Sequence, residues 1–306
     1  MDREIIFMKS NKKYDLICIG NYTKDTIVTP AGVTYVDGGA VNYAAHAAAR
    51  LGLNVVAVTH LAREDDRVVE KFLRAGIDCL PTYTPHSTCM RLEYPTTNPD
   101  IRTLSVTHTA GSISAAEVQD LQAKAAVIGP SIRGEVGLEV IQALKKNDIQ
   151  VGIDVQGYVR VISDQTLIYE PWDEMAIYLA QVDVLKSDAV EAEYLTGETD
   201  IYKAASAFAA LGPKEIVLTH KDGVLVYANG NFYNRLFFPK NMQGRSGRGD
   251  TCVGSYMSMR LSKSPAEASI WAAAVTSLKM ETQGPFDRTL AEVEHLISEK
   301  YDNPDH

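Results

Sequence analysis

The chain has 306 residues, 45% apolar and 23% charged, an ordinary globular composition with enough apolar material for a large core. Thirty Lys and Arg against thirty-nine Asp and Glu leave a formal charge of −9, which repels a phosphate backbone and sets nucleic acid aside as a partner. The four widely spaced cysteines form no C-x-x-C pair, the opening residues lack a cleavage pattern, and no apolar run reaches the roughly 20 residues that cross a bilayer. A reduced, cytoplasmic chain with no membrane partner is the expectation.

Short β-branched runs recur at 16–19, 55–59, 126–129, 151–155, 182–185 and 216–219, separated by helical patterns. That alternation predicts a doubly wound α/β fold, a mostly parallel sheet with helices on both faces. Helices are read at 41–51, stopped by Gly52, at 68–73, leading into Gly76, and at 264–280, with Pro265 tolerated in the first turn. Two stretches break the rhythm: a short strand at 34–36, and a hairpin pairing 88–94 with 101–106 across Thr96 to Asp100. They read as a small β lid drawn from about 31–38 and 87–107, standing over one domain of residues 1–306. A lid beside an α/β sheet predicts a site that closes over its ligand and expels water. Residues 157–172 read as an irregular surface excursion.

The most informative run is Gly244-Arg245-Ser246-Gly247-Arg248-Gly249-Asp250, followed by a helical pattern. Three glycines let the backbone turn tightly and aim several N–H groups into one concavity at the positive end of a helix, a place for phosphate. A carboxylate at its mouth can take a proton from an attacking hydroxyl, although a capped helix start would also put an Asp there. No G-x-x-x-x-G-K-[ST] loop is present, which disfavours a P-loop NTPase. A second run, Gly38-Gly39-Ala40-Val41-Asn42-Tyr43, opens an alanine-rich helix ending in Arg50-Leu51-Gly52. Its glycines let a ligand approach the backbone, and its alanines let the helix lie close to the sheet. His46, on the same helix, reads as a packed or solvated side chain.

The glycine pair with its alanine-rich helix resembles the first signature of the ribokinase-like (PfkB) carbohydrate kinases. Gly247-Arg248-Gly249-Asp250 resembles their second, usually written with a G-x-G-D core, and the resemblance runs over about 15–284. It implies a kinase that moves the γ-phosphate of ATP, with Mg²⁺, to a hydroxyl of a sugar, polyol or nucleoside. Asp250 becomes the catalytic base, and the N–H groups of Gly247, Arg248 and Gly249 hold the transferring phosphoryl. Asp25, Gly38, Gly39, Asn42 and Tyr43 are expected at the acceptor. Asp188 and Glu191 correspond to the family's N-x-x-E segment, Glu191 acting on magnesium through water, and Thr219 and Gly223 line the nucleotide.

The departures are specific. Asp188 replaces an asparagine, Tyr43 stands where asparagine is usual, Gly244 where aspartate is common, and Arg248 in place of a small residue. Met90, Tyr94 and Arg102 on the lid are expected to sort acceptors, and the lid's open edge offers a homodimer surface. Two other readings are a ribokinase-fold binding or regulatory protein without turnover and a dinucleotide oxidoreductase. The latter needs G-x-G-x-x-G after the first strand, where the chain reads Gly20-Asn21-Tyr22-Thr23.

Overall fold

Val55–Ala62 is buried at all eight positions and Glu215–Thr219 at all five, the pattern of strands covered on both faces. Both belong to the nine-stranded sheet of a computed structural model that describes residues 12–96, 103–244 and 246–301. In spatial order its strands are Asn231–Leu236, Gly223–Ala228, Glu215–Thr219, Val184–Asp188, Gln150–Asp154, Gln122–Ile128, Lys13–Ile19, Val55–Ala62 and Asp78–Thr84. All pairings are parallel except those of the hairpin at one edge, Gly223–Ala228 with Asn231–Leu236 and with its inner neighbour. Alternate residues of the first strand enter separate cores on the two faces, Leu16 and Cys18 on one side, Ile17 and Ile19 on the other. The doubly wound expectation holds, although Asp78–Thr84 and the edge hairpin were not foreseen.

The strand that follows Lys13–Ile19 in the large sheet lies on one side of it, and the strands from Gln122 onward lie on the other. Where strand order reverses in this way a crevice opens beyond the carboxyl ends of the strands, here beyond Ile19 and Ile128.

A second, six-stranded sheet stands beside this crevice, in the order Arg160–Ser163, Thr166–Tyr169, Thr103–His108, Thr88–Glu93, Thr23–Thr29, Gly32–Gly38. It has its own small core of Met90, Leu92, Val106 and Ile132. The expected hairpin is present as Thr88–Glu93 paired antiparallel with Thr103–His108. Its turn, and with it Arg102, lies outside the described residues.

Two expectations are corrected. Residues 157–172 are no surface excursion, because Arg160–Ser163 and Thr166–Tyr169 extend the second sheet. The resemblance of residues 20–25 to the end of the family's first strand would put Asp25 there, but it lies inside Thr23–Thr29, a separate strand of the second sheet. Both segments were obscured because these strands are short or partly exposed and mix polar with apolar side chains.

Candidate active site

The helix Arg248–Arg260 starts at Gly247, whose φ of 74° is left-handed and strained for any residue with a Cβ. A Cβ there would also lie 2.2 Å from the Tyr43 ring, so that ring rests directly on the turn. Two residues on, a Cβ at Gly249 would lie 2.6 Å from Lys186 Nζ. The opening N–H groups of a helix have no carbonyl one turn back to bond, so this end presents donors to an anion. Arg248 is the first residue of the helix, and Arg245 lies outside the described residues.

The same helix packs against the alanine-rich helix Ala40–Arg50 so closely that a Cβ at Gly254 would lie 2.7 Å from Ala44 Cα. Small residues on both helices therefore bring the two glycine motifs, some two hundred residues apart in sequence, to one place.

Asp250 lies in the first turn and forms the wall of a narrow cavity with Ile19, Ala40, Val41, Gly129 and Asp154. Burial pushes its carboxyl up to about 6; Asp154 adds to the effect, while Lys186, Arg160 and Lys279 work against it. Asp25 stands close enough to feel the charge of Asp250. Burial raises it to about 6 as well, a hydrogen bond from Thr23 opposes this, and the charge of Asp250 adds to it. Asp25 Oδ1 and the Tyr43 hydroxyl are buried and, among the described residues, without a hydrogen-bond partner. Burial, with Asp25 and Asp250 adding, holds the Tyr43 phenol above its ordinary value. An unsatisfied carboxylate oxygen and an unsatisfied phenol, both within electrostatic reach of Asp250, form a constellation for a ligand rich in hydroxyls.

Gly38 and Gly39 connect the lid to this space. A Cβ at Gly38 would lie 2.3 Å from Asp25 Oδ2, so the carboxylate occupies the room a side chain would need. Asn42 is placed differently from the other acceptor candidates. Its Nδ2 donates to Asp37 O at 2.9 Å, so its amide fixes the end of the strand Gly32–Gly38.

On the other side of the turn, Asp188 and Glu191 form a reciprocal capping box at the start of the helix Ala189–Thr196. Glu191 N donates to Asp188 Oδ1 at 2.8 Å and Asp188 N to Glu191 Oε2 at 2.9 Å. The aspartate found in place of asparagine thus serves equally well as a cap. Glu191 is fully buried and its carboxyl is raised to about 7 by burial, with Lys186 working against the rise. Its Oε1 has no partner among the described residues.

Thr219 lies level with Asp188 on the adjacent strand, and its hydroxyl is likewise buried and unpartnered there. Gly223 is required by packing, since a Cβ would lie 2.2 Å from Arg235 O on the adjoining strand. Among the described residues no three His, Cys, Asp or Glu side chains cluster as a metal cage. One free carboxylate oxygen without a cage fits magnesium held chiefly by donor phosphates and water, and does not fit a tightly chelated ion.

Four charged residues of this site were not foreseen. Lys186, 3% exposed on Val184–Asp188, places Nζ 2.9 Å from Asp154 Oδ2 and 3.9 Å from Glu191 Oε2. Arg160, on the second sheet, acts electrostatically on Asp25, Glu191 and Asp250. Lys279 is fully buried near Tyr43. A signal was available for Asp154 alone, the single charge in the strand Gln150–Asp154.

A carboxylate in the first turn of a glycine-started helix, at the switch-point crevice of a doubly wound sheet with a second β sheet beside it, is the arrangement of the ribokinase-like α/β kinases. The chain matches the pfkB family of carbohydrate kinases over residues 8–288 and belongs to that family. It is 27% identical over 253 residues to a cytidine kinase of Thermococcus kodakarensis, covering 79% of this chain and 87% of that protein. A solved pyrophosphate-dependent kinase of the ribokinase family, complexed with a pyrophosphate analog and myo-inositol, superposes with a TM-score of 0.84 at 30% identity, covering 92% of this chain and 99% of the other. An Arabidopsis thaliana ribokinase complexed with ribose and ATP shares the fold, with a TM-score of 0.75 at 18% identity over 94% of this chain and 99% of that one.

Proposed function

We propose that this family member transfers a terminal phosphoryl group to a hydroxyl of a small polyol, sugar or nucleoside, with Asp250 as general base. The observation that carries the reading is the Asp250 carboxyl in the first turn of a glycine-started helix, raised to about 6, with the unsatisfied Asp25 and Tyr43 within its electrostatic reach. The acceptor hydroxyl gives its proton to Asp250 as its oxygen bonds to phosphorus. The bridging P–O bond of the donor breaks, and the shortened donor leaves with that electron pair. The N–H groups of Gly247, Arg248 and Gly249, with the Lys186 ammonium against Gly249, stabilise the charge on the transferring group. Asp25, Gly38, Gly39 and Tyr43 hold the acceptor.

ATP with Mg²⁺ is the donor the family implies, Thr219 and the Asp188–Glu191 cap standing toward its phosphates. Magnesium would draw charge from the donor's phosphate oxygens, with Glu191 Oε1 holding one of its waters. Pyrophosphate is a second reading, favoured by one observation. Identity is 30% to the pyrophosphate-dependent structure and 18% to the ATP-complexed ribokinase. The Thermococcus kodakarensis relative is a cytidine kinase and the pyrophosphate-dependent structure is complexed with myo-inositol, so cytidine and myo-inositol lead the acceptor panel.

The test is phosphorylated-product formation across polyols, sugars and nucleosides, with ATP or pyrophosphate and Mg²⁺ in parallel. A product dependent on one acceptor and one donor supports the reading. Acceptor binding without product from any donor would instead support a binding or regulatory protein.

A further inference from the structure

Lys279 lies one residue before the end of the helix Pro265–Met280 and is 0% exposed. A buried ammonium is costly unless its charge is used, yet among the described residues no carboxylate lies within 4 Å of it. Its Nζ donates to Gly244 O at 3.0 Å and stands 5.3 Å from the centre of the Tyr43 ring. That ring is the one pressed against Gly247. The N–H groups of Gln243 and Gly244 both donate to Met280 O, at 2.9 and 3.1 Å, so the end of this helix grips the chain entering the turn. Burial pulls the Lys279 ammonium down to about 8, opposed by the charge of Asp250, which leaves it largely protonated at neutral pH.

We propose that Lys279 is a positioning residue whose ammonium holds Gly244 directly and Gly247 through the Tyr43 ring, fixing the turn from which Asp250 and the anion-binding N–H groups project. The inference rests on the phosphotransferase reading. The physical reason is geometric: a glycine-rich turn is loose by itself, and one cation that bonds one end and braces the other through an aromatic ring restricts it without covering the N–H groups. A hydrocarbon side chain of the same length would fill the volume but could neither bond the Gly244 carbonyl nor attract the ring face.

The experiment compares wild type, Lys279→Met and Lys279→Arg with whichever of ATP–Mg²⁺ or pyrophosphate–Mg²⁺ the wild type uses, and repeats each with ammonium, methylammonium or tetramethylammonium chloride. Lys279→Met is expected to melt no lower than wild type, to lose kcat by about ten- to a hundredfold, and to keep its acceptor KM within about threefold. Ammonium or methylammonium should restore part of that loss, and the bulkier tetramethylammonium should not. Turnover of Lys279→Met within about threefold of wild type overturns the proposal, as does a loss that no small cation recovers or that raises both KM values equally. If Lys279→Met does not fold, Lys279→Gln carries the same expectations and the same overturning results. A wild type without turnover on any acceptor counts against the phosphotransferase reading, a result separate from these.

Discussion

Asp37 and Asp250 are the same chemical group in two half-buried places, and the protein treats them oppositely. Asp37, at the end of the lid strand Gly32–Gly38, accepts from Tyr22 Oη at 2.7 Å, from both Arg67 nitrogens at 2.7 and 2.8 Å, and from Lys71 at 2.6 Å. Burial works against its charge, but Arg67, Lys71 and Tyr22 outweigh that and hold its carboxyl well below the usual range. Asp250 has no ion pair within 4 Å among the described residues, and burial pushes its carboxyl up to about 6. A carboxylate whose every neighbour is a partner belongs to the architecture. One that is desolvated without partners stores an imbalance that a substrate can relieve.

The comparison can be broken first at Asp250. Asp250→Asn should lower kcat by about 10²- to 10⁴-fold, read as initial rates at saturating donor and acceptor, while donor binding by calorimetry is retained. At Asp25 the expected effect is smaller. Asp25→Ala should raise the acceptor KM by about tenfold or more with the donor KM little changed, because it removes a hydrogen-bonding group from the acceptor alone. Equal changes in the two KM values would move Asp25 out of the acceptor site.

Stability should respond in opposite directions at the two aspartates. The Asp37 carboxyl is depressed in the folded state, so its ionised form favours folding above about pH 4, and that contribution is lost as pH falls toward the folded value. Asp37→Asn should therefore destabilise at neutral pH by about 1–3 kcal/mol, seen as a lower denaturant midpoint. The Asp250 carboxyl is raised, so its ionised form opposes folding, and the penalty grows as pH climbs from about 4 through 6. Asp250→Asn should melt higher than wild type at pH 7, by an amount corresponding to about 1–2 kcal/mol. Matching shifts for the two variants would erase the distinction between closed and open carboxylates. The smallest effect is expected at Glu191, where Glu191→Gln should raise the Mg²⁺ concentration for half-maximal rate several-fold; an unchanged titration counts against its contact with the ion's water.

What could be read from sequence follows burial. Val55–Ala62, which is covered on both faces, opens on the unbroken apolar run Val55 to Val58, whereas Thr23–Thr29 and Arg160–Ser163 face solvent in part and resemble loops. The turn from Gly244 to Asp250 was legible because its chemistry is local, glycines and an acid adjacent in the chain. Lys186, Asp154 and Arg160 act at the same place from three other strands, and Lys279 from a helix, so only the fold brings them together. A charge in a strand such as Val184–Asp188 reads as a solvated position until the neighbouring strands are known to bury it. Asn42 carries a role the motif does not reveal, its amide donating to the backbone at Asp37.

The central claim is that an open, desolvated carboxylate at residue 250 takes the acceptor's proton. Its most direct test is the pH dependence of kcat/KM for wild type and Asp250→Asn, measured side by side with the best acceptor. The wild-type rate should rise with pH through an apparent value near 6, shared by the interacting Asp25 and Asp250, and the variant should show a low rate without that rise. A variant that keeps both the wild-type rate and its acid limb would contradict the account.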